Sequence, residues 1–317
     1  MNILNIFRLF AALFICIGCL SSTRVSANDK VTVILDWFLN AGHQSLLAAQ
    51  YSGAFQRHGL DVELIAPADP GTPPRLVAAG QADMAISYPI QLGMMVDQHI
   101  PLVQVGSLLN QPLDVLITND RIKSIKDLKG KKIGVSVAGD ERAVLGTILQ
   151  SAGLKLSDVQ LINVNFQLEQ ALMTGAVDAI IGANRNYELI DLQQRNVQVS
   201  TFYPEKYGIP AYDELIFITR PDYAKDPKIA RFMQALKEGG EYLKLHPDEI
   251  FDKAVKDHPE LNTELNKAAW QATLPLIAVN PGKIEFNRIR GFMSYLFNKG
   301  VIHQLRPMTD YGVQTSQ

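Results

Sequence analysis

Five side chains able to bind a small molecule or exchange a proton crowd into positions 36–43: Asp36, Trp37, Phe38, Asn40 and His43. They follow the β-branched run Val31–Asp36, which reads as a strand. Comparable groups follow later apolar runs: Ser87 and Tyr88, then Ser136, then Asn184, Arg185, Asn186 and Tyr187, and finally Tyr212, Asp213 and Glu214. In doubly wound α/β chains ligands sit beyond the carboxyl ends of the strands, so these are the informative positions. Aromatic rings, amides and one or two carboxylates suit a flat, neutral or weakly basic heterocycle, stacked on its faces and hydrogen-bonded at its edge. Each residue also has a plainer role open to it. Trp37 can fill core, Tyr88 with Pro89 can start a helix, and Glu214 can cap a crossover or pair with Arg185. A buried carboxylate in a cleft needs a donor, and an amino-heterocycle supplies one. The candidate ligand-binding set is therefore Trp37, Asn40, His43, Ser87, Tyr88, Asn184, Tyr187, Tyr212 and Glu214, with no catalytic residue assigned.

Other chemistry finds little purchase. His58, His99, His246, His258 and His303 are scattered without ligand spacing, so no metal site is expected. P-loop, GxGxxG and GxSxG signatures are absent, and no cofactor is expected. The glycine-bearing stretch 130–139 (GKKIGVSVAG) could lead an anion to a helix start. Asp140 and Glu141 occupy that start, however, and would repel a phosphate or sulfonate. Asp83 and Asp178 read as turn residues that satisfy backbone donors.

The elements that must position these residues alternate between strand and helix. After Val31–Asp36 the helical spacing runs over Gly42–His58. Strand Asp61–Ala66, helix Thr72–Ala79, strand Ala82–Ser87, helix Pro89–Asp97 and strand Leu102–Ser107 follow. From Lys132–Ser136 the pattern begins again, with helix Glu141–Ser151, strand Gln160–Asn165, helix Leu168–Thr174, strand Val177–Ala183 and helix Tyr187–Arg195. The expectation is an α/β protein of two doubly wound lobes with parallel sheets. LVAAGQADMAIS at 76–87 and ALMTGAVDAIIG at 171–182 echo one another, each with a glycine suited to a helix C-terminus. Pro112–Thr118 and Tyr212–Thr219 read as two crossover strands. Lobe 1 is thus expected at 28–113 and 216–317, and lobe 2 at 114–215. The amphipathic runs Ile229–Leu245, Asp248–Val255, Glu264–Trp270 and Phe286–Phe297 should pack on lobe 1. Such lobes close on a ligand by a hinge, with the site in the cleft between them.

Composition narrows the class. The 317 residues are 47% apolar and 20% charged, ample for a core, and a net charge of −2 gives no basic field for nucleic acid. Residues 1–27 carry Arg8, an apolar run Leu9–Leu20 and Val25-Ser26-Ala27, the pattern of a secretory signal peptide cleaved after Ala27. Cleavage removes Arg8 and Arg24, leaving 28 basic and 32 acidic residues, a net charge of −4. It also removes Cys16 and Cys19, and with them every thiol. Cys19 loosely matches a lipid-attachment box, the alternative to free release.

These segments together resemble the periplasmic solute-binding proteins of ABC importers in the family shared with fungal thiamine-pyrimidine synthases. The likeness rests on residues 35–70, on LVAAGQADMAISY (76–88), IKSIKDLKGKKIGVSV (122–137), residues 161–188 and GIPAYDELIF (208–217). It implies a type II periplasmic-binding-protein fold, a periplasmic and monomeric protein, and delivery of ligand to an inner-membrane permease driven by an ATPase. Within the family the segments look most like the branch that binds formylaminopyrimidine or hydroxymethylpyrimidine. That branch implies Trp37 and Tyr88 against the ring faces, Asn40 and Asn184 on substituents, and Glu214 on the 4-amino group and a ring nitrogen. Two rivals follow from the same resemblance. One is a synthase that consumes its own histidine and pyridoxal phosphate, with His43 aligned to that histidine but Ser87 in place of the cofactor lysine. The other is a binder of riboflavin or an alkanesulfonate.

Overall fold

The computed structural model describes residues 28–315; the expected export segment, with Cys16 and Cys19, lies outside them. Ten strands occur among the described residues: β1 (Asp29–Ile34), β2 (Leu60–Ile65), β3 (Met84–Ser87), β4 (Val103–Leu109), β5 (Asp114–Asn119), β6 (Lys132–Val135), β7 (Gln160–Asn163), β8 (Ala179–Asn184), β9 (Val199–Phe202) and β10 (Leu215–Thr219). They form two five-stranded sheets, ordered β2-β1-β3-β10-β4 and β7-β6-β8-β5-β9. In each sheet a parallel trio (β2-β1-β3, β7-β6-β8) is followed by an antiparallel fourth strand, β10 or β5. The expected parallel sheets are therefore mixed. A chain that leaves one lobe and enters the other arrives from the cleft side, so its first strand runs against its neighbours. The missed strand is β9, a short half-buried VSTF segment pairing only with β5.

The internal echo has a structural cause. Asp83 accepts from the backbone N–H of Thr32 at 2.8 Å, and Asp178 from that of Lys132 at 3.0 Å, each tying the entry to the third strand of its sheet to the second strand, within β1 and at the start of β6. Gly80 and Gly175, three residues earlier, turn the preceding helix with φ of 74° and 73°, a region costly for residues with a Cβ.

The helix expected over Gly42–His58 is divided. A tight turn at Ala41–His43, capped by Asn40, leads into Gln44–Tyr51, and Gly53 (φ 77°) breaks the chain before Ala54–Arg57. Pro89–Asp97 forms as read, with proline at its first position, where a missing N–H costs nothing. The later helices Pro227–Leu245, Pro247–Asp257, Glu264–Thr273 and Phe286–Asn298 include the four amphipathic runs. Helix Pro227–Leu245 lies so close to Gln44–Tyr51 that a Cβ on Gly239 would stand 2.5 Å from the Ala49 backbone. No helix among the described residues is long and apolar enough to cross a membrane.

Candidate functional site

A cleft of about 760 Å³, counting its solvent mouth, opens where β1, β3 and β8 end, where β5 begins and where the return crossover enters β10. Its walls are aromatic and its lining is acidic. Trp37, Tyr88, Tyr187 and Tyr212 line it, with Asn40, Asn184 and Asn186 between them and Asp36, Asp114, Asp140, Glu188 and Glu214 among the polar groups.

The aromatic walls are exchanged between lobes. Trp37, at the end of β1, packs with the apolar cluster of the second sheet and meets Phe166 edge-on with ring centroids 4.7 Å apart. Tyr187, which follows β8, packs in return with the cluster of the first sheet and lies edge-on to Phe38 at 6.4 Å. Asn186 reaches across as well, its amide nitrogen donating to Thr273 Oγ1 at 2.8 Å. The Thr273 hydroxyl is itself spent on the carbonyl of Ala269, so its oxygen can only accept and the Asn186 amide is fixed with nitrogen toward it. Asn186 Oδ1 is then left buried without a partner among the described residues.

Behind Trp37 stands a hydrogen-bonded relay. His43 is fully buried; its Nε2 lies 3.0 Å from Asp36 Oδ1, and its Nδ1 accepts from the backbone N–H of Asn40 at 3.2 Å. A ring that accepts at Nδ1 donates from Nε2. Tyr88 donates its hydroxyl to the other oxygen of Asp36 at 2.7 Å. Burial, then the charge of Asp36, holds the Tyr88 phenol well above its usual range, so it stays a donor. Tyr212 is held up likewise, by burial first and then Glu214.

Glu214 enters from the return crossover, 4% exposed, and one of its oxygens accepts from the backbone N–H groups of Leu113 and Asp114. Burial outweighs those hydrogen bonds and lifts its carboxyl to about 7. Asp114, also 4% exposed, accepts from Gly182 N–H at 3.0 Å, and burial with the charge of Glu214 lifts it to about 8. Asp140 and Glu188 are pushed upward by burial and then by neighbouring carboxyls, Asp114 first for Asp140 and Glu169 first for Glu188. The cation nearest this group, Arg185, is committed elsewhere: its guanidinium grips Glu205 at 2.8 and 3.0 Å and the carbonyls of Leu113 and Asp114.

Of the nine candidate residues, seven line the cleft: Trp37, Asn40, Tyr88, Asn184, Tyr187, Tyr212 and Glu214. His43 does not, because it is sealed behind Asp36, and Ser87 does not, because its hydroxyl turns inward to Gln91 Oε1 at 2.9 Å. Asn40 reaches the cleft, yet both ends of its amide are spent locally, on Phe38 O and Gly42 N–H. Glu214 makes no pair with Arg185, and Asp213 turns away to Ser107 and Arg288. The residues missed are Asp114, Asp140 and Glu188. Asp140 had a readable signal, an acid at a helix start after glycine; a wide turn over Glu141–Leu145 follows it, closed by Gly146 N–H on Glu141 O. Asp114 and Glu188 had none, since each opens an ordinary strand or helix.

The family described as NMT1/THI5 like matches residues 40–250. A Haemophilus influenzae protein named for thiamine biosynthesis is 43% identical over 291 residues, covering 91% of this chain and 93% of its own. The formylaminopyrimidine-binding protein of Halalkalibacterium halodurans is 29% identical, covering 87% and 86%. The 4-amino-5-hydroxymethyl-2-methylpyrimidine phosphate synthase of Aspergillus parasiticus is 26% identical, covering 77% and 75%. Among solved structures, the periplasmic aliphatic sulphonate binding protein SsuA of Escherichia coli has the same fold, with TM-score 0.68, 15% identity and coverage of 91% and 93%.

Proposed function

The chain belongs to the NMT1/THI5-like family, and from that premise we propose that it is the extracytoplasmic binding component of an ABC importer for a thiamine-precursor pyrimidine. In this reading formylaminopyrimidine or hydroxymethylpyrimidine lies in the cleft, and an inner-membrane permease with its ATPase receives it. The observation that carries the reading is Glu214: a buried carboxyl with one oxygen held by two backbone donors and the other without a protein partner among the described residues, in a cleft that Tyr88 and Tyr212 also line. An aminopyrimidine edge offers an N–H donor to such an oxygen, and its flat ring suits walls of indole and phenol. The signal-like segment 1–27 and the relatives' names support export and ligand class.

The chain is read as a binder rather than an enzyme. A pyridoxal-dependent synthase needs a lysine amine for its Schiff base, and no lysine among the described residues lines this cleft. Ser87 stands turned into the core, and His43 is held on both nitrogens and sealed, so the residues present do not fit that cofactor or a consumed histidine. A sulfonate, which offers acceptors only, would meet five carboxyl groups and no uncommitted cation among the described lining residues.

Mass spectrometry of small molecules released from natively purified protein should show an aminopyrimidine, and calorimetry should show it rebinding one to one. Release of a sulfonate or flavin, with no pyrimidine binding, would overturn the reading.

A further inference from the structure

The cleft gathers more carboxyl groups than a neutral aminopyrimidine can use. Its carboxyls fall into two groups: Asp114, Asp140 and Glu214 at the crossover, and Glu188, backed by Glu169 and Asp191 on the second lobe, with Asp36 acting on both Glu214 and Glu188. Asp114, Glu188 and Glu214 are each more than nine-tenths buried, and each has one oxygen with no hydrogen bond among the described residues. Asn186 adds a further acceptor, an amide oxygen buried at the lining with no donor and fixed in that orientation by Thr273.

Among the described residues only two basic side chains besides His43 offset these groups, and both are already engaged: Arg185 lowers Asp114 and Glu214 from a distance, and Arg195 is paired with Asp191 at 2.8 Å. Arg185 is held by Glu205, and His43 serves Asp36 from behind. The ring amino group has two N–H donors for the Glu214 end; a formylated or hydroxymethyl arm adds one donor toward Glu188 and Asn186, whereas an ammonium arm adds three and a positive charge. The buried Asn186 oxygen left without a donor is costly, and a positive charge is favoured where several carboxyls face one largely enclosed cleft.

We propose that the cleft selects its ligand as a cation, an aminopyrimidine bearing a protonated amine arm, in preference to its neutral acylated counterpart. This rests on the pyrimidine reading above and sharpens it. The ring edge would meet Glu214 and the ammonium arm the remaining carboxyls. Because Glu214 and Asp114 are held up to about 7 and about 8, affinity for a cation should also rise with pH as the cleft ionises. The groups that set this titration are Asp36 and His43 after β1, Tyr88, Asp114, Asp140 with Glu141, Arg185 with Glu205, Tyr187 and Glu188 with Glu169, Asp191 and Arg195, and Tyr212 with Glu214.

Calorimetry on the full exported chain tests this with a matched pair, 4-amino-5-aminomethyl-2-methylpyrimidine and its N-formyl derivative. The ammonium compound should bind about tenfold tighter or more at pH 7.5. Its affinity should rise from pH 5.5 to 8, while that of the formyl compound should not. Glu188→Gln should lower the ratio of the two affinities at least about fivefold, whatever it does to each. Equal affinities, or tighter binding of the formyl compound, at both pH values would overturn the inference and leave the pyrimidine reading intact. Binding of neither compound would overturn the pyrimidine reading, and the inference with it.

Discussion

Replacing Glu214 with glutamine should flatten the loss of stability that the ligand-free protein suffers as pH rises. Burial lifts the Glu214 carboxyl from its ordinary 4.5 to about 7, against the pull of the Leu113 and Asp114 N–H groups and of Arg185. In the unfolded chain it titrates near 4.5. Between those values the folded protein keeps a proton that the unfolded chain has lost, so stability falls with rising pH. The full contribution is present below about pH 4.5 and gone above about pH 7. A gap of roughly two and a half units is worth about 3 kcal/mol. For a protein of this size each kcal/mol moves Tm by about 2–4 °C, so roughly 6–12 °C of the decline belongs to this one carboxyl. Glutamine keeps an oxygen for the two backbone donors and has no proton to lose. It also removes the charge that helps hold Asp114 up, so the part of the decline due to Asp114 shrinks with it. Thermal unfolding followed by circular dichroism at pH 5, 6, 7 and 8, without ligand, measures the slope. Parallel curves for wild type and Glu214→Gln would refute the reasoning, because they would mean that Glu214 ionises inside the cleft as freely as in water.

Two further perturbations probe the walls and the frame. Trp37 lines the cleft, whereas the other tryptophan, Trp270, is 1% exposed in the first-lobe core, so the fluorescence change on adding ligand should vanish in Trp37→Phe; a change of wild-type size would remove Trp37 from the ligand's surroundings. Gly239→Ala drives a Cβ to 2.5 Å from the Ala49 backbone and should cost about 1–3 kcal/mol in urea unfolding. An unchanged midpoint would show that the two helices can part without strain.

The candidate site was legible where side-chain type and strand position agree. Trp37, Tyr88, Asn184 and Tyr187 follow strands or cap the helices after them, and the rule that ligands gather beyond carboxyl ends locates them. Glu214 was legible because an acid in front of a fully buried strand must find a donor. His43 and Ser87 obey the same positional rule and still turn away. The rule gives the end of a strand but not the side to which a residue points; a capping turn at Asn40 swings His43 beneath Asp36, and the pleat of β3 sends Ser87 inward. The alternation of strands and helices exposed two lobes, yet not the antiparallel fourth strand of each sheet, since strand direction follows from where the chain enters and leaves no mark on periodicity.

The acidity of the cleft was illegible for a different reason. Asp114 reads as the start of a strand, Glu188 as the first turn of a helix where acids complement the dipole, and Asp140 as a guard against anions. Each local reading is sound, and none reports that residues 36, 114, 140, 188 and 214 share one space. That convergence is made by the two crossovers, which bring both sheets' carboxyl ends face to face, and by the exchange of Trp37 and Tyr187 between lobes, which presses them together. The same exchange ties recognition to closure. A ligand that displaces neither ring must fit the gap between them, and one that brings a positive charge lowers the repulsion among carboxyls that closure confines. In this fold the acidity of the cleft is therefore a property of the paired lobes and of neither alone.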